Sequence, residues 1–183
     1  NQTDVDLPVQ FIFEFLRSEG KLEDFPVIVS RTDTLFYSRW LNGKYSTGAR
    51  NEIRYKKGEK RTPDDREFYR YLEYCMHWIE HKNILFNLES VKAKDLAPGD
   101  LYIQFDKNDP DSSGHAAMIV DICYGEDEEI LLLAGWGGIP AHDFYIPKPQ
   151  SAKDRQWMTI DELKELLSKY GEGRFYRFKN LRF

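Results

Sequence analysis

Cysteine is scarce: in 183 residues only Cys75 and Cys123 occur, and no C-x-x-C pair is present. A disulfide scaffold or a zinc ribbon needs more cysteines at tighter spacing, so these two are either buried thiols or one bridge. Long apolar runs are missing too. No stretch approaches the ~18 residues of a membrane span, and no signal-peptide pattern of basic, apolar and small residues opens the chain. A soluble domain is expected, and because the first residue is Asn1 rather than Met, we read the chain as an N-terminally trimmed piece of a longer protein. An excess of positive charge is also absent. With 26 basic against 31 acidic residues the net charge is -5, so the broad positive field that phosphate backbones require is lacking and nucleic acid is not an expected partner. The one basic run, Arg54 to Arg61, is broken by Gly58 and Glu59 and reads as a solvated turn.

Apolar and aromatic residues are plentiful, at 41% and 15% of the chain. That suffices for one good core, and the length is that of a single domain over residues 1–183. The aromatic excess reads first as core packing.

Along the chain, Asp6 and Pro8 open a helix to about Glu19, stopped by Gly20. Phe25 to Val29 reads as a short strand. Thr32 or Asp33 then caps a helix through Trp40 and Leu41 that ends at Asn42-Gly43. Thr62-Pro63-Asp64-Asp65 starts a helix, with Thr62 as cap and Pro63 at the first position, running to about Glu80. After Ala97-Pro98-Gly99 the pattern turns to period two: Leu101, Ile103 and Phe105 alternate with Tyr102 and Gln104. Residues 106 to 114 form a polar loop. His115–Cys123 and Ile130–Gly135 flank the acidic link Gly125 to Glu129 as a β-hairpin. Thr159-Ile160-Asp161-Glu162 is a capping box opening a helix that stops at Gly171, and Arg174–Phe178 is a last strand. Helices first and a mostly antiparallel sheet afterwards make an α+β domain.

Two patterns bear on chemistry. His77-Trp78-Ile79-Glu80-His81 matches H-x-x-E-H, in which two histidines one turn apart bind zinc and the glutamate activates water. The core stripe of that helix is Phe68, Leu72, Cys75 and Ile79, which puts His77 and His81 on the opposite, solvent-facing side. A zinc peptidase is therefore the weakest reading, and no cofactor or metal is expected. In the hairpin, His115, Ala117, Ile119, Asp121 and Cys123 share one face; Ala116, Met118, Val120 and Ile122 share the other, read as core. His115 begins its strand after the small residues Ser112-Ser113-Gly114, a place suited to a general base at the rim of a sheet. Asp121 cannot serve it, since six residues at ~3.3 Å each leave ~20 Å between them. If the acidic link is the turn, the partner of His115 lies near Gly137 or Gly138, which draws Trp136, His142 and Asp143 toward the same rim. Gln104 on the neighbouring strand is a candidate amide donor.

The order Gly99-Asp100, apolar strand, loop, Gly114-His115, apolar strand resembles the histidine half of papain-like amidases and peptidases of the NlpC/P60 type. That resemblance implies a cysteine thiolate at a helix start. Here Cys75 lies mid-helix on a core stripe and Cys123 is eight residues from His115 on one strand, while Ser30, Thr32 and Thr34 read as capping hydroxyls. The orienting Asn or Asp position holds Ala134-Gly135-Trp136.

Taken in order, Trp40-Leu41-Asn42-Gly43, Phe68-Tyr69-Arg70-Tyr71-Leu72, Gly99-Asp100-Leu101-Tyr102-Ile103-Gln104, Gly114-His115-Ala116, Ile119-Val120-Asp121, Leu132-Leu133-Ala134 and Pro140-Ala141-His142-Asp143 resemble the bacterial family of domain of unknown function 4846. The likeness runs from about Gln10 to Leu181-Arg182-Phe183. It implies an exported, periplasmic or envelope-associated protein and brings no known activity. It carries over Trp40, Gly43, Gln104, Gly114, His115, Pro140 and Asp143 as matching positions. Gly135 and His142 stand where the family usually has Gln, and the H-x-x-E-H helix end has no counterpart there.

These readings lead to an exported hydrolase or remnant hydrolase with a papain-like sheet, acting on an amide or peptide through His115, Gln104 and Asp143. The alternative is a noncatalytic binding domain that presents Trp40, Tyr102, Trp136 and His142 to a ligand in an aromatic groove. Oligomeric state is left open.

Overall fold

The computed structural model describes residues 5–31, 33–47, 54–79, 81–105, 115–125, 127–137, 143–151 and 154–181. The chain divides into two compact units, Val9–Asn87 and Leu88–Phe183 with Asn1–Pro8.

Helix α1, Asp6–Ser18, buries Val9, Ile12, Phe13 and Leu16, the i, i+3, i+4, i+7 positions of one helix face. It ends as expected at Gly20, whose φ of 67° carries the chain through a turn. Strand β1, Val27–Ile28, pairs antiparallel with β2, Thr34–Leu35. The side chain of Asn87 completes the outer edge of β1: its Oδ1 accepts from the Ile28 N–H at 2.7 Å and its Nδ2 donates to the Ile28 carbonyl at 2.8 Å.

This pairing corrects the expected helix start. Asp33 closes a turn instead of capping a helix, its N–H donating to the Ser30 hydroxyl at 3.1 Å and its carbonyl accepting from Val29 N–H at 3.0 Å. Residues 34 and 35 then spend their backbone on the ladder, so helix α2 is only Tyr37–Leu41. Thr32 lies outside the described residues. The helix ends at Asn42-Gly43 as read, with Gly43 at φ 73°.

The basic run is not a solvated turn. Strand β3, Lys44–Thr47, pairs antiparallel with β4, Arg54–Lys57. The hairpin closes against Gly43, where an added Cβ would sit 2.4 Å from the Gly58 carbonyl oxygen.

Helix α3, Asp65–Trp78, starts two residues later than expected. Asp64 rather than Thr62 is the cap, its carboxylate accepting from the Glu67 N–H at 2.8 Å; an ionised acceptor at the positive end of the helix is the stronger cap. The stripe Phe68, Leu72, Cys75 and Ile79 is buried as expected, with Tyr71 added to it. Phe13 stacks on Tyr71 with ring centroids 6.0 Å apart and meets Phe25 edge-on at 6.2 Å. Helix α4, His81–Ile84, and a 3₁₀ turn, Leu85–Asn87, close this unit.

The other unit is a six-stranded antiparallel sheet with a helix on one face, the α+β arrangement expected. Its strands are β5 Leu88–Ser90, β6 Leu101–Gln104, β7 His115–Tyr124, β8 Ile130–Gly135, β9 Met158–Thr159 and β10 Gly173–Phe178, in the order β5-β10-β6-β7-β8-β9. Helix α5, Ile160–Leu167, opens on the expected capping box, Thr159 with Glu162. Its Leu163 and Leu167 pack onto Tyr102, Ile119, Leu132 and Phe175.

The face assignment along β7 is corrected by a bulge. Ile119 pairs with Ala134 but Asp121 pairs with Leu133, leaving Val120 without an opposite residue. An extra residue resets the alternation. Ala116 is buried as read, but Ala117 and Ile119, ahead of the bulge, are buried too and belong to the core packed by α5. Past the bulge Ile122 turns to join them, and Val120, expected inside, is 37% exposed.

Asp100 and Arg177 fix the entry to β6. The Asp100 carboxylate is fully buried and also accepts from the Ala97 N–H at 2.8 Å. Its backbone carbonyl takes the Ile119 N–H at 2.8 Å, which joins the turn before β6 to the middle of β7.

Candidate functional site

Gln104 and His115 are Cα partners across β6 and β7, and Gly173 on β10 is opposite Gln104. Directly paired residues project their side chains to one face. The structure thus brings together Gln104 and His115, two of the residues read as catalytic. His115 is buried, and its ring meets that of Trp136 edge-on, centroids 5.4 Å apart at 87°. Trp136 is in turn held by paired backbone hydrogen bonds with Tyr145, both 3.1 Å.

Gln104 is fully buried, and its amide donor is already engaged. Nε2 donates to the Leu167 carbonyl at 3.0 Å and to the Gly171 carbonyl. It satisfies backbone acceptors left over where α5 ends. Its Oε1 is buried without a hydrogen-bond partner among the described residues. Gly173 leaves no space for a larger residue here: a Cβ would lie 2.5 Å from the Tyr102 ring and 2.6 Å from Gln104 Cγ.

Tyr102 and Trp136, read as parts of an open aromatic groove, are 3% and 4% exposed. Tyr102 packs on the Phe175 ring at 4.9 Å. Burial raises its phenol pKa, against the lowering effect of a hydrogen bond to the Gly173 backbone. Both rings are core. Asp143 is exposed. Gly114, Pro140 and His142 lie outside the described residues.

The two cysteines are free. Cys75 is buried within α3, and burial pushes its thiol well above the ordinary range despite a hydrogen bond with Tyr71. It is no thiolate nucleophile. Ser30 hydrogen-bonds Asp33 Oδ2 at 3.0 Å within its turn. His77 is exposed, as read; Glu80 and the His81 side chain lie outside the described residues. Among the described residues no group of three or more His, Cys, Asp or Glu is placed to hold a metal ion. No helix among them is long and apolar enough to cross a membrane.

A cavity that sequence reasoning missed lies wholly within the unit Val9–Asn87. It measures about 410 Å³ and is lined by Phe36, Trp40 and Tyr74 together with Arg39, Lys44, Lys56 and Lys57. Trp40, carried by α2, is clamped in place. Its ring centroid is 4.8 Å from that of Tyr74, and the Arg61 guanidinium lies 3.5 Å over it. Arg61 is itself held 3.7 Å from the buried Glu67 carboxylate. Trp40, one of the residues expected to bind, lines this cavity. The overlooked signal was Lys44-Tyr45 and Tyr55-Lys56-Lys57, charged and aromatic residues alternating on both sides of a gap, which is a hairpin pattern hidden by its charge.

A family model described as a domain of unknown function (4846) matches residues 8–182. No curated protein and no solved structure matches the chain.

Proposed function

The chain belongs to that family, and from this premise we propose that it is a ligand-binding protein whose site is the Trp40 cavity. The observation that carries the reading is the open cavity of about 410 Å³ beside Phe36, Trp40 and Tyr74. Small-molecule sites are typically concave, of a few hundred Å³, with aromatic walls and a few polar groups. Because Trp40 is fixed by Tyr74 and Arg61 before any ligand arrives, little ordering cost remains at binding.

The test is an NMR fragment screen on the full chain. Perturbed backbone signals at 34–40, 44 and 56–57 are the expected result. Perturbations gathered instead around His115 and Trp136 would overturn this reading.

A second reading, a hydrolase or remnant hydrolase acting on an amide or peptide within a papain-like sheet, is favoured by the pairing of Gln104 with His115. It predicts turnover of short peptide amides that falls at least a hundredfold in His115→Gln. Equal background rates in both proteins would end it. The family likeness also leads us to propose export to the periplasm or envelope, which fractionation of cells expressing the full-length gene tests directly.

A further inference from the structure

We infer that the ligand of the Trp40 cavity is an organic anion: a flat apolar body bearing a carboxylate, sulfonate or phosphate group. This rests on the binding reading above and adds the charge of the ligand to it. The chain as a whole is acidic, with a net charge of -5, yet the charged residues among the described lining of this cavity are all cations, Arg39, Lys44, Lys56 and Lys57. Local charge runs against global charge.

Two features make that concentration of charge more than a solvated rim. Lys44 and Lys57 are Cα partners in the β3–β4 hairpin, so their ammonium groups share one face. Like charges placed directly opposite destabilise a strand pair. Among the described residues none of the three lysines has an ion-pair partner, whereas Arg61 nearby is held by Glu67 at 3.7 Å. The hairpin therefore carries a repulsion that an anion between the two lysines would relieve.

Arg39 is placed for the same task. Its guanidinium lies 4.7 Å over the Phe36 ring, which holds the planar fork at the wall of the cavity. A stacked guanidinium suits flat oxyanions such as carboxylate and phosphate. Cations at the edge and aromatic rings behind them fit a ligand with one charged end and one apolar end. A bare inorganic ion would leave the aromatic part of the cavity unused. An extended polyanion would meet an acidic molecule beyond the rim.

The experiment compares 2-naphthoate with its neutral counterpart 2-naphthylmethanol on the full chain, by calorimetry and by NMR perturbation at 34–40, 44 and 56–57. The inference predicts that the anion binds at least tenfold more tightly, that the margin shrinks as salt rises, and that it disappears in Lys44→Gln/Lys57→Gln but survives in Lys44→Arg/Lys57→Arg. The arginine pair also controls for folding, since it keeps the charge on the same hairpin. Equal binding of both probes at these residues would overturn the charge inference and leave the binding reading standing. Binding of neither would sink both. Inorganic phosphate that binds there as tightly as naphthoate would overturn the requirement for an apolar body.

Discussion

Arg177 grips Asp100 through two parallel hydrogen bonds, Nε to Oδ1 at 2.7 Å and Nη2 to Oδ2 at 2.8 Å, and Nη2 also reaches the Asp95 carbonyl at 2.8 Å. The carboxylate is fully buried while the guanidinium side chain keeps 26% exposure. The acid depends on its partner far more than the base does.

Arg177→Met should therefore cost about 3 kcal/mol of stability, because it strands a buried charge. Asp100→Asn should cost less, about 1–2 kcal/mol, since an amide oxygen still accepts the Ala97 N–H. Urea unfolding followed by tryptophan fluorescence checks both. A loss below 1 kcal/mol in Arg177→Met would show that the pair is not what holds the β6 turn.

Glu162 supplies a pH-dependent part of stability. Its burial alone would raise the carboxyl pKa, but hydrogen bonds from the Ser151 hydroxyl, the Thr159 N–H and the Arg155 guanidinium bring it down to about 2, from an ordinary value of 4.5. The folded-state value is depressed, so the stabilisation is complete above pH ~4.5 and lost as pH falls toward ~2. Glu162→Gln should be less stable at pH 7 and should flatten the fall in stability between those limits. An unchanged slope in the variant would refute the assignment.

Gly43→Ala should unfold the β3–β4 hairpin or cost about 2–4 kcal/mol. The residue sits at φ 73°, and a Cβ would press on the backbone oxygens of Gly58 and Glu59 at 2.4 and 2.5 Å. Left-handed backbone and a rigid clash add together here. Thermal unfolding together with loss of naphthoate binding is the readout; a variant with native stability would mean the hairpin does not close on this glycine.

Thiol accessibility separates the two cysteines. Cys75 is fully buried with a raised pKa, and Cys123 is partly exposed on β7. Native protein should react with one equivalent of Ellman's reagent, at Cys123, and with a second only on denaturation. Mapping the first label to Cys75 by mass spectrometry would contradict the packing of α3.

What the sequence made legible was whatever repeats over several residues. The buried stripe of α3, the β7–β8 hairpin and the Thr159 capping box each carry a periodic or local signal strong enough to stand alone. The short strand read over Phe25 to Val29 is β1, but β2, β5 and β9, of two or three residues each, hold too little sequence to show a period. The bulge at Val120 was invisible because residues 116–120 are a continuous apolar run with no alternation for a bulge to break. Asp100 and Arg177 are 77 positions apart, and nothing local announces their bond. At the candidate sites, the approach of Trp136 to His115 followed from counting register through the hairpin. That Gln104 would turn its donor to the end of α5 did not, because the partner is a backbone carbonyl 63 residues away. The Trp40 cavity escaped because its wall is a hairpin written in lysines.

The side chain of Asn87 stands in for a third strand beside Ile28, across 59 residues of chain. On the ribosome the residue that seals β1 is made long after β1 itself, at 5–20 residues per second about 3–12 s later. Until then the Ile28 amide and carbonyl have only water or a stray chain to bond. An asparagine side chain, carrying both a donor and an acceptor in one plane, closes that exposed edge late but with a partner that cannot continue the sheet. Growth by further strand addition stops at a single amide.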